Sequence, residues 1–122
     1  ERRVPAYCTN PDKIMLTPVG LRPGAGHIAE IYAEMGGPVH WIGKPYPEIY
    51  IEALRRLGRP DAGRVVSIGD SVEHDIAGGA RAGLATALVT TGILSSMNDL
   101  DRAALYAAHE ARPDFLLPGF FW

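Results

Sequence analysis

Two short apolar runs, Val65-Val66-Ser67-Ile68 and residues 84–89, bracket a segment of small residues and constrain the fold of this chain more than any other feature. The first run stops at Gly69-Asp70, and the second begins just after Gly83. Runs of that length without polar alternation suit strands buried on both faces of a sheet. Between them, Ala77, Gly78, Ala80 and Ala82 give residues 72–82 a helical face of small side chains, suited to close packing on a sheet. Strand, helix and strand in that order make a parallel unit whose strand ends share one edge.

The same alternation extends in both directions. Residues 4–9 read as a strand that stops at the turn Asn10-Pro11-Asp12, and residues 12–23 have no period and read as a loop. Pro23-Gly24-Ala25-Gly26 leads into a helix with Ile28, Ile31, Tyr32 and Met35 on one face, ended by Gly36-Gly37-Pro38. Residues 39–42 form a short strand. After Gly43-Lys44-Pro45, a helix carries Ile49, Tyr50, Ala53, Leu54 and Leu57, and an alanine-rich helix over 99–111 precedes a last strand at 114–117. The expectation is an α/β fold with a largely parallel sheet and an internal boundary at Gly43.

Composition narrows the function classes. A net charge of -2 over 122 residues gives no basic footprint for nucleic acid and no polybasic membrane signal. No apolar run approaches a membrane span, and no signal peptide is recognisable. A lone cysteine, Cys8, forms no internal disulfide, reads as a small buried strand residue and fits a reducing, cytoplasmic setting. Trp41, Phe120, Phe121 and Trp122 read as packing residues, and the four histidines as solvated or core-edge side chains too scattered for a zinc site. The start at Glu1 without methionine reads most simply as truncation.

Chemistry concentrates at the strand ends. Asp70 lies just past a strand, and Ser71 is a good N-cap, which puts Asp75 on the first turn of the following helix. One helical turn brings Asp75 back toward the loop, so the two carboxylates can converge on a small hard cation such as Mg²⁺. Lys44 at another turn adds a fixed ammonium to offset phosphate charge. A plainer account is equally open at this point: the acids complement a helix dipole, and Lys44 is an exposed turn lysine.

Gly43-Lys44-Pro45 with Tyr46-Pro47-Glu48 resembles the lysine motif of the haloacid dehalogenase (HAD) superfamily of phosphohydrolases, in the branch with a large α/β cap. Gly69-Asp70-Ser71 with Asp75-Ile76-Ala77-Gly78-Gly79-Ala80 and Gly83 resembles that family's acidic metal motif. Thr9-Asn10-Pro11-Asp12 and Pro23-Gly24-Ala25-Gly26 resemble segments of its cap. The resemblance implies the end of an α/β cap over residues 1–42 and the second half of a Rossmann-like, parallel-sheet core over 43–122. It further implies Asp70 as direct Mg²⁺ ligand, Asp75 as a supporting acid, Lys44 holding nucleophile and phosphoryl group, and Ser71 as support or helix cap. Asn10 and Asp12 would lie in the cap loop that selects a small phosphorylated metabolite. Association with a second copy is left open.

One departure stands out. The aspartyl nucleophile and the Ser/Thr phosphate motif of that family cannot be assigned. The one close pair, Asp99-Leu100-Asp101, sits at a helix start. The expectation is that this chain by itself does not turn over phosphate esters, since phosphoryl transfer needs an in-line nucleophile.

Two alternatives belong to other classes. Gly69-Asp70-Ser71 matches the Gly-Asp-Ser block of certain serine esterases, with Ser71 as nucleophile and a histidine as base. Those carry Asp-x-x-His near the C-terminus, where this chain has Tyr106-Ala107-Ala108-His109. The other alternative is a non-catalytic module that binds an ion or self-associates through an open sheet edge.

Overall fold

The computed structural model describes residues 3–91 and 94–119; the expected packing roles of Phe120, Phe121 and Trp122 fall outside them. β1 (Ala6–Cys8) pairs in parallel with β4 (Val39–Trp41), and α1 (Ala25–Glu34) forms the crossover. Cys8 is buried at the end of β1, as its apolar surroundings suggest. Then come α2 (Pro47–Arg56) and β5 (Val66–Gly69), a π turn over Val72–Ile76 continuing into α3 (Ala77–Arg81), and β6 (Ala85–Val89). α4 (Asp99–Ala108) and β7 (Phe115–Leu117) complete the described chain. The second sheet is parallel, in the order β5-β6-β7, with Gly69 opposite Leu88 and Val89 opposite Leu117. The parallel α/β expectation therefore holds.

The core lies where the π turn and α3 cross β6. Val72, Ile76, Ala77, Leu88, Leu94 and Ala111 are buried together, with Met97, Leu105 and Tyr106 packed around them. Ile76 and Leu88 expose no surface. Among the described residues no helix is long and apolar enough to cross a membrane.

Three local expectations need correction. The segment expected to be a loop, residues 12–23, contains an antiparallel hairpin, β2 (Ile14–Thr17) with β3 (Gly20–Pro23). Ile14, Met15, Leu16 and Leu21 are all exposed, so the hairpin buries neither face and leaves no period-2 signature. The strand β5 is not buried on both faces. Its Ser67 side meets the π turn and α3, but Val66 and Ile68 on the other side are 45 % and 44 % exposed. The apolar face of α1 is open as well, with Ile28 and Met35 exposed. Finally, the helix expected over 99–111 stops at Ala108, because Glu110 takes a left-handed φ of 50°. Asp99 and Asp101 occupy its first turn under the N-cap Asn98, whose Oδ1 accepts the Asp101 N–H at 2.9 Å.

Asp114 ties the last strand to the sheet. Its Oδ2 accepts the Thr86 N–H at 2.8 Å and the Thr86 hydroxyl at 2.9 Å. The backbone N–H and then the hydroxyl of Thr86 hold the Asp114 carboxyl below its ordinary value of 3.8. A depressed folded-state pKa makes this contribution complete above the unfolded value and lost as pH falls through the folded one. Unfolding midpoints measured from pH 6 down to 2.5 should fall more steeply below pH 4 in the wild type than in Asp114→Asn, which cannot ionise.

Candidate active site

Four elements deliver side chains to one edge of the structure. Lys44 follows β4, Asp70 follows β5, the π turn carries Glu73, His74 and Asp75, and Asp12 and Lys13 lie between β1 and β2. Together with Ile14 and Ser71 they line a pocket of about 330 Å³.

Asp75 is the centre of this arrangement. It is buried, and both of its oxygens are engaged: Oδ1 accepts from Lys44 Nζ at 2.5 Å and Oδ2 from the Ser71 N–H at 3.1 Å. The π turn permits this. The Ile76 N–H reaches back five residues to the Ser71 carbonyl at 3.2 Å, widening the first turn so that the carboxylate folds inward. Ser71 caps the turn, its Oγ accepting the His74 N–H at 3.2 Å. Gly69 leaves the necessary room, since a Cβ there would lie 2.1 Å from the Asp75 carboxyl. Behind the turn, buried Tyr50 on α2 donates to the His74 carbonyl at 2.9 Å. Burial, and then the charge of Asp75, raises the Tyr50 pKa, so the phenol remains a donor.

Lys44 is half exposed at the pocket wall. Burial alone would lower its pKa, but the hydrogen bond and charge of Asp75, aided by Asp12, outweigh that and hold it above the ordinary lysine value. Lys44 is therefore a fixed cation in the neutral range.

The Asp12 segment is clamped from below by α1. The Gly24 N–H donates to the Lys13 carbonyl at 2.8 Å, and the Gly26 N–H to the Asp12 carbonyl at 3.0 Å. A Cβ on Gly26 would fall 2.0 Å from the Pro11 carbonyl oxygen, which is backbone and cannot swing aside. This explains the Gly-Ala-Gly pattern at the start of α1. Gly26→Ala should cost about 1–3 kcal/mol, the range for overpacking a tight contact, as read by denaturant unfolding. Asn10 plays a local part. Its Oδ1 accepts the Asp12 N–H at 3.1 Å, forming an Asx turn, and it lies outside the wall of the charged pocket.

A divalent cation fits this donor set in part. Asp12, Asp70, Glu73 and Asp75 place four carboxylates around the pocket against the ammonium groups of Lys13 and Lys44. Asp75 has both oxygens committed, whereas the Asp70 carboxylate makes no hydrogen bond or ion pair among the described residues. Among those residues no cluster of three metal-ligating side chains occurs. The Glu73 carboxylate likewise makes no hydrogen bond or ion pair among the described residues, and free carboxylates with Asp75 as a supporting acid suit Mg²⁺, which keeps several waters and takes one or two protein carboxylates plus substrate phosphate.

A serine-nucleophile arrangement is not formed. Ser71 Oγ lies 2.9 Å from His74 Nδ1, and Asp12 Oδ1 lies 3.3 Å from the same nitrogen. A relay needs the serine and the carboxylate on opposite nitrogens of the imidazole.

A family model described as HAD-hydrolase-like matches residues 41–120. The chain belongs to this HAD-hydrolase-like family. Within it, the chain is 40 % identical over 87 residues to the dihydroxyacetone phosphatase of Corynebacterium glutamicum, aligning 70 % of itself with 31 % of that protein. It is 38 % identical over 93 residues to the acid sugar phosphatase of Staphylococcus aureus, aligning 75 % of itself with 35 % of that one. The chain thus spans about a third of the length of these curated relatives. Among solved structures, the p-nitrophenyl phosphatase from Archaeoglobus fulgidus superposes with a TM-score of 0.74 at 34 % identity, covering 93 % of this chain and 42 % of that one. A possible sugar phosphatase of the HAD superfamily from Cytophaga hutchinsonii gives 0.79 at 25 % identity, covering 98 % and 43 %. The HAD relationship expected from the lysine and acidic motifs therefore holds, as does the α/β fold.

What the sequence did not disclose is the role of His74. It takes the core-edge position expected of it, 13 % exposed, and there its side chain lies against Asp12 and Ser71 on the pocket wall. The signal was its place beside Asp75 on a capped turn, which carried no meaning until Asp12 was seen to lie opposite.

Proposed function

We propose that this chain is part of a Mg²⁺-dependent phosphatase that hydrolyses small phosphate monoesters, with residues 1–42 forming the end of its cap and 43–122 the second half of its catalytic core. The observation that carries this is the uncommitted carboxylate of Asp70, just past the end of β5, in one pocket with the Lys44–Asp75 pair. Asp70 would hold the ion, which when bound neutralises phosphate charge and orients the ester. Asp75 stays out of direct ligation and fixes Lys44. The Lys44 ammonium binds a phosphoryl oxygen and stabilises the charge that builds as the leaving group departs.

Neither Asp75 nor Asp70 is suited to attack. Asp75 is buried and doubly bound, and Asp70 is reserved for the ion. An aspartate from a longer chain would form the aspartyl-phosphate that water then hydrolyses. The relatives' names, dihydroxyacetone phosphatase and acid sugar phosphatase, support a phosphorylated small metabolite as substrate.

The test is hydrolysis of p-nitrophenyl phosphate and a panel of sugar phosphates by the full-length protein, with Mg²⁺ and after chelation. Turnover that disappears with EDTA and returns with Mg²⁺ is expected. Absence of turnover under both conditions would overturn the proposal. The 122-residue chain alone should be inactive, and robust Mg²⁺-dependent hydrolysis by it would place the nucleophile within these residues.

A further inference from the structure

His74 separates two adjoining cavities. One is the charged pocket with Lys44, Asp70 and Asp75. The other, about 230 Å³, is walled by Pro11, Trp41, Pro45 and Tyr46 and closed by Lys13 and Glu30. His74, Lys13 and Glu73 line both, so the two spaces meet along the edge of the imidazole. The charged pocket alone is near the lower limit for sites that hold small ligands. A phosphate beside Lys44 and Asp70 leaves its organic group to pass His74 toward the second cavity. There Trp41 and Tyr46 stack on one another, with ring centroids 6.2 Å apart, as a firm far wall.

The imidazole is held by polar contacts on one of its two nitrogens. Nδ1 takes both fixed contacts, Ser71 Oγ at 2.9 Å and Asp12 Oδ1 at 3.3 Å. An ionised carboxylate can only accept, so Asp12 favours the ring form with its hydrogen on Nδ1. In the neutral ring, the other nitrogen is then an acceptor. Nε2 makes no hydrogen bond among the described residues, and it is not a buried orphan: among those residues that condition is met by the Tyr106 hydroxyl alone. Resting on the phosphatase assignment above, we propose that His74, set by Asp12 and Ser71, is the specificity-determining acceptor for a hydroxyl group on the substrate's leaving group. The preferred substrates are phosphate esters of polyols, and Asp12 is a positioning residue that acts through His74.

The test compares glycerol phosphate with p-nitrophenyl phosphate, whose leaving group has no hydroxyl donor, in the full-length protein. In His74→Phe, the ratio of kcat/KM for glycerol phosphate to that for p-nitrophenyl phosphate should fall about tenfold, as for loss of one well-made hydrogen bond, mainly through KM. His74→Gln, whose amide carbonyl can accept, should restore part of it. Equal losses on both esters would assign His74 a structural role and overturn the proposal.

Nitrogen-15 spectra of the imidazole in the wild type give a second readout that needs no variant to fold. Hydrogen on Nδ1 is expected, with Nε2 shifting on addition of glycerol phosphate but not of inorganic phosphate. Asp12→Asn should erase the Nδ1 preference. Hydrogen on Nε2 in the wild type would overturn the proposal. If the wild type hydrolyses neither ester, the phosphatase assignment falls. The His74 contact is then decided by the glycerol phosphate shift alone, which sustains it if present and overturns it if absent.

Discussion

Replacing Lys44 by methionine is expected to lower phosphate ester hydrolysis by the full-length protein about a hundredfold or more, with most of the loss in kcat. The estimate follows from removing one preorganised charge aimed at a reacting oxyanion, which typically costs 10²–10³ in rate. Methionine keeps the length and apolar stem of the side chain, so packing against the pocket wall changes little. Folding should survive, although Asp75 loses the donor to its Oδ1 and retains only the Ser71 N–H. Lys44→Arg should not rescue. A guanidinium is planar and larger than the ammonium that meets Asp75 at 2.5 Å, and its donors are set in a fork. The pH profile adds a check with a definite sign. The Lys44 pKa lies above its ordinary value, so its charge and its bond to Asp75 are complete below that value and lost only as pH rises through the raised one. An alkaline limb in kcat between pH 8 and 10 therefore belongs to another group. If Lys44→Met abolished such a limb, the assignment of Lys44 as a fixed cation would be wrong.

The parts of the site legible in the sequence are those written as strand ends. Gly43-Lys44-Pro45 follows β4 and Gly69-Asp70 follows β5, although β4 pairs with β1 and β5 with β6 in separate sheets. Turn residues after apolar runs marked Lys44, Asp70 and Asp75 as candidates, and the resemblance of their motifs joined them in one site. The hairpin β2–β3 was not legible because its apolar residues face solvent on both sides, and alternation is imprinted only where one face is buried. Exposure of Val66 and Ile68 was hidden for the opposite reason. An apolar run reads as a strand covered on both faces, and among the described residues Val66 and Ile68 are not covered. The contact between Asp12 and His74 joins two turns far apart in sequence, and no periodicity reports such a pair. The π turn is equally silent, since its one extra residue leaves the helical composition of the segment unchanged.

The second large effect is expected at a residue without a side chain. Gly69→Ala should destabilise the protein by about 2–4 kcal/mol, combining overpacking with disturbance of the buried Asp75 carboxylate and its bonds, and should lower activity about as far as Lys44→Met. The new Cβ would stand 2.1 Å from both the Asp75 Cγ and Oδ2. Asp75 cannot step aside cheaply, because Oδ1 is bound to Lys44 and Oδ2 to the Ser71 N–H. Any movement that clears Gly69 breaks one of these bonds, leaving either a buried carboxylate short of a donor or Lys44 adrift from the phosphate position. Gly69 also lies in register with fully buried Leu88 on β6, so the strand itself cannot retreat without opening the core. Thermal unfolding and kcat measured on the same preparation separate the two effects. Loss of stability with kcat unchanged would mean that Asp75 does not hold Lys44 in its working position. Loss of both fits the coupling, and a double variant Gly69→Ala/Lys44→Met should then be no less active than Lys44→Met alone. Two changes that disable the same ammonium cannot add.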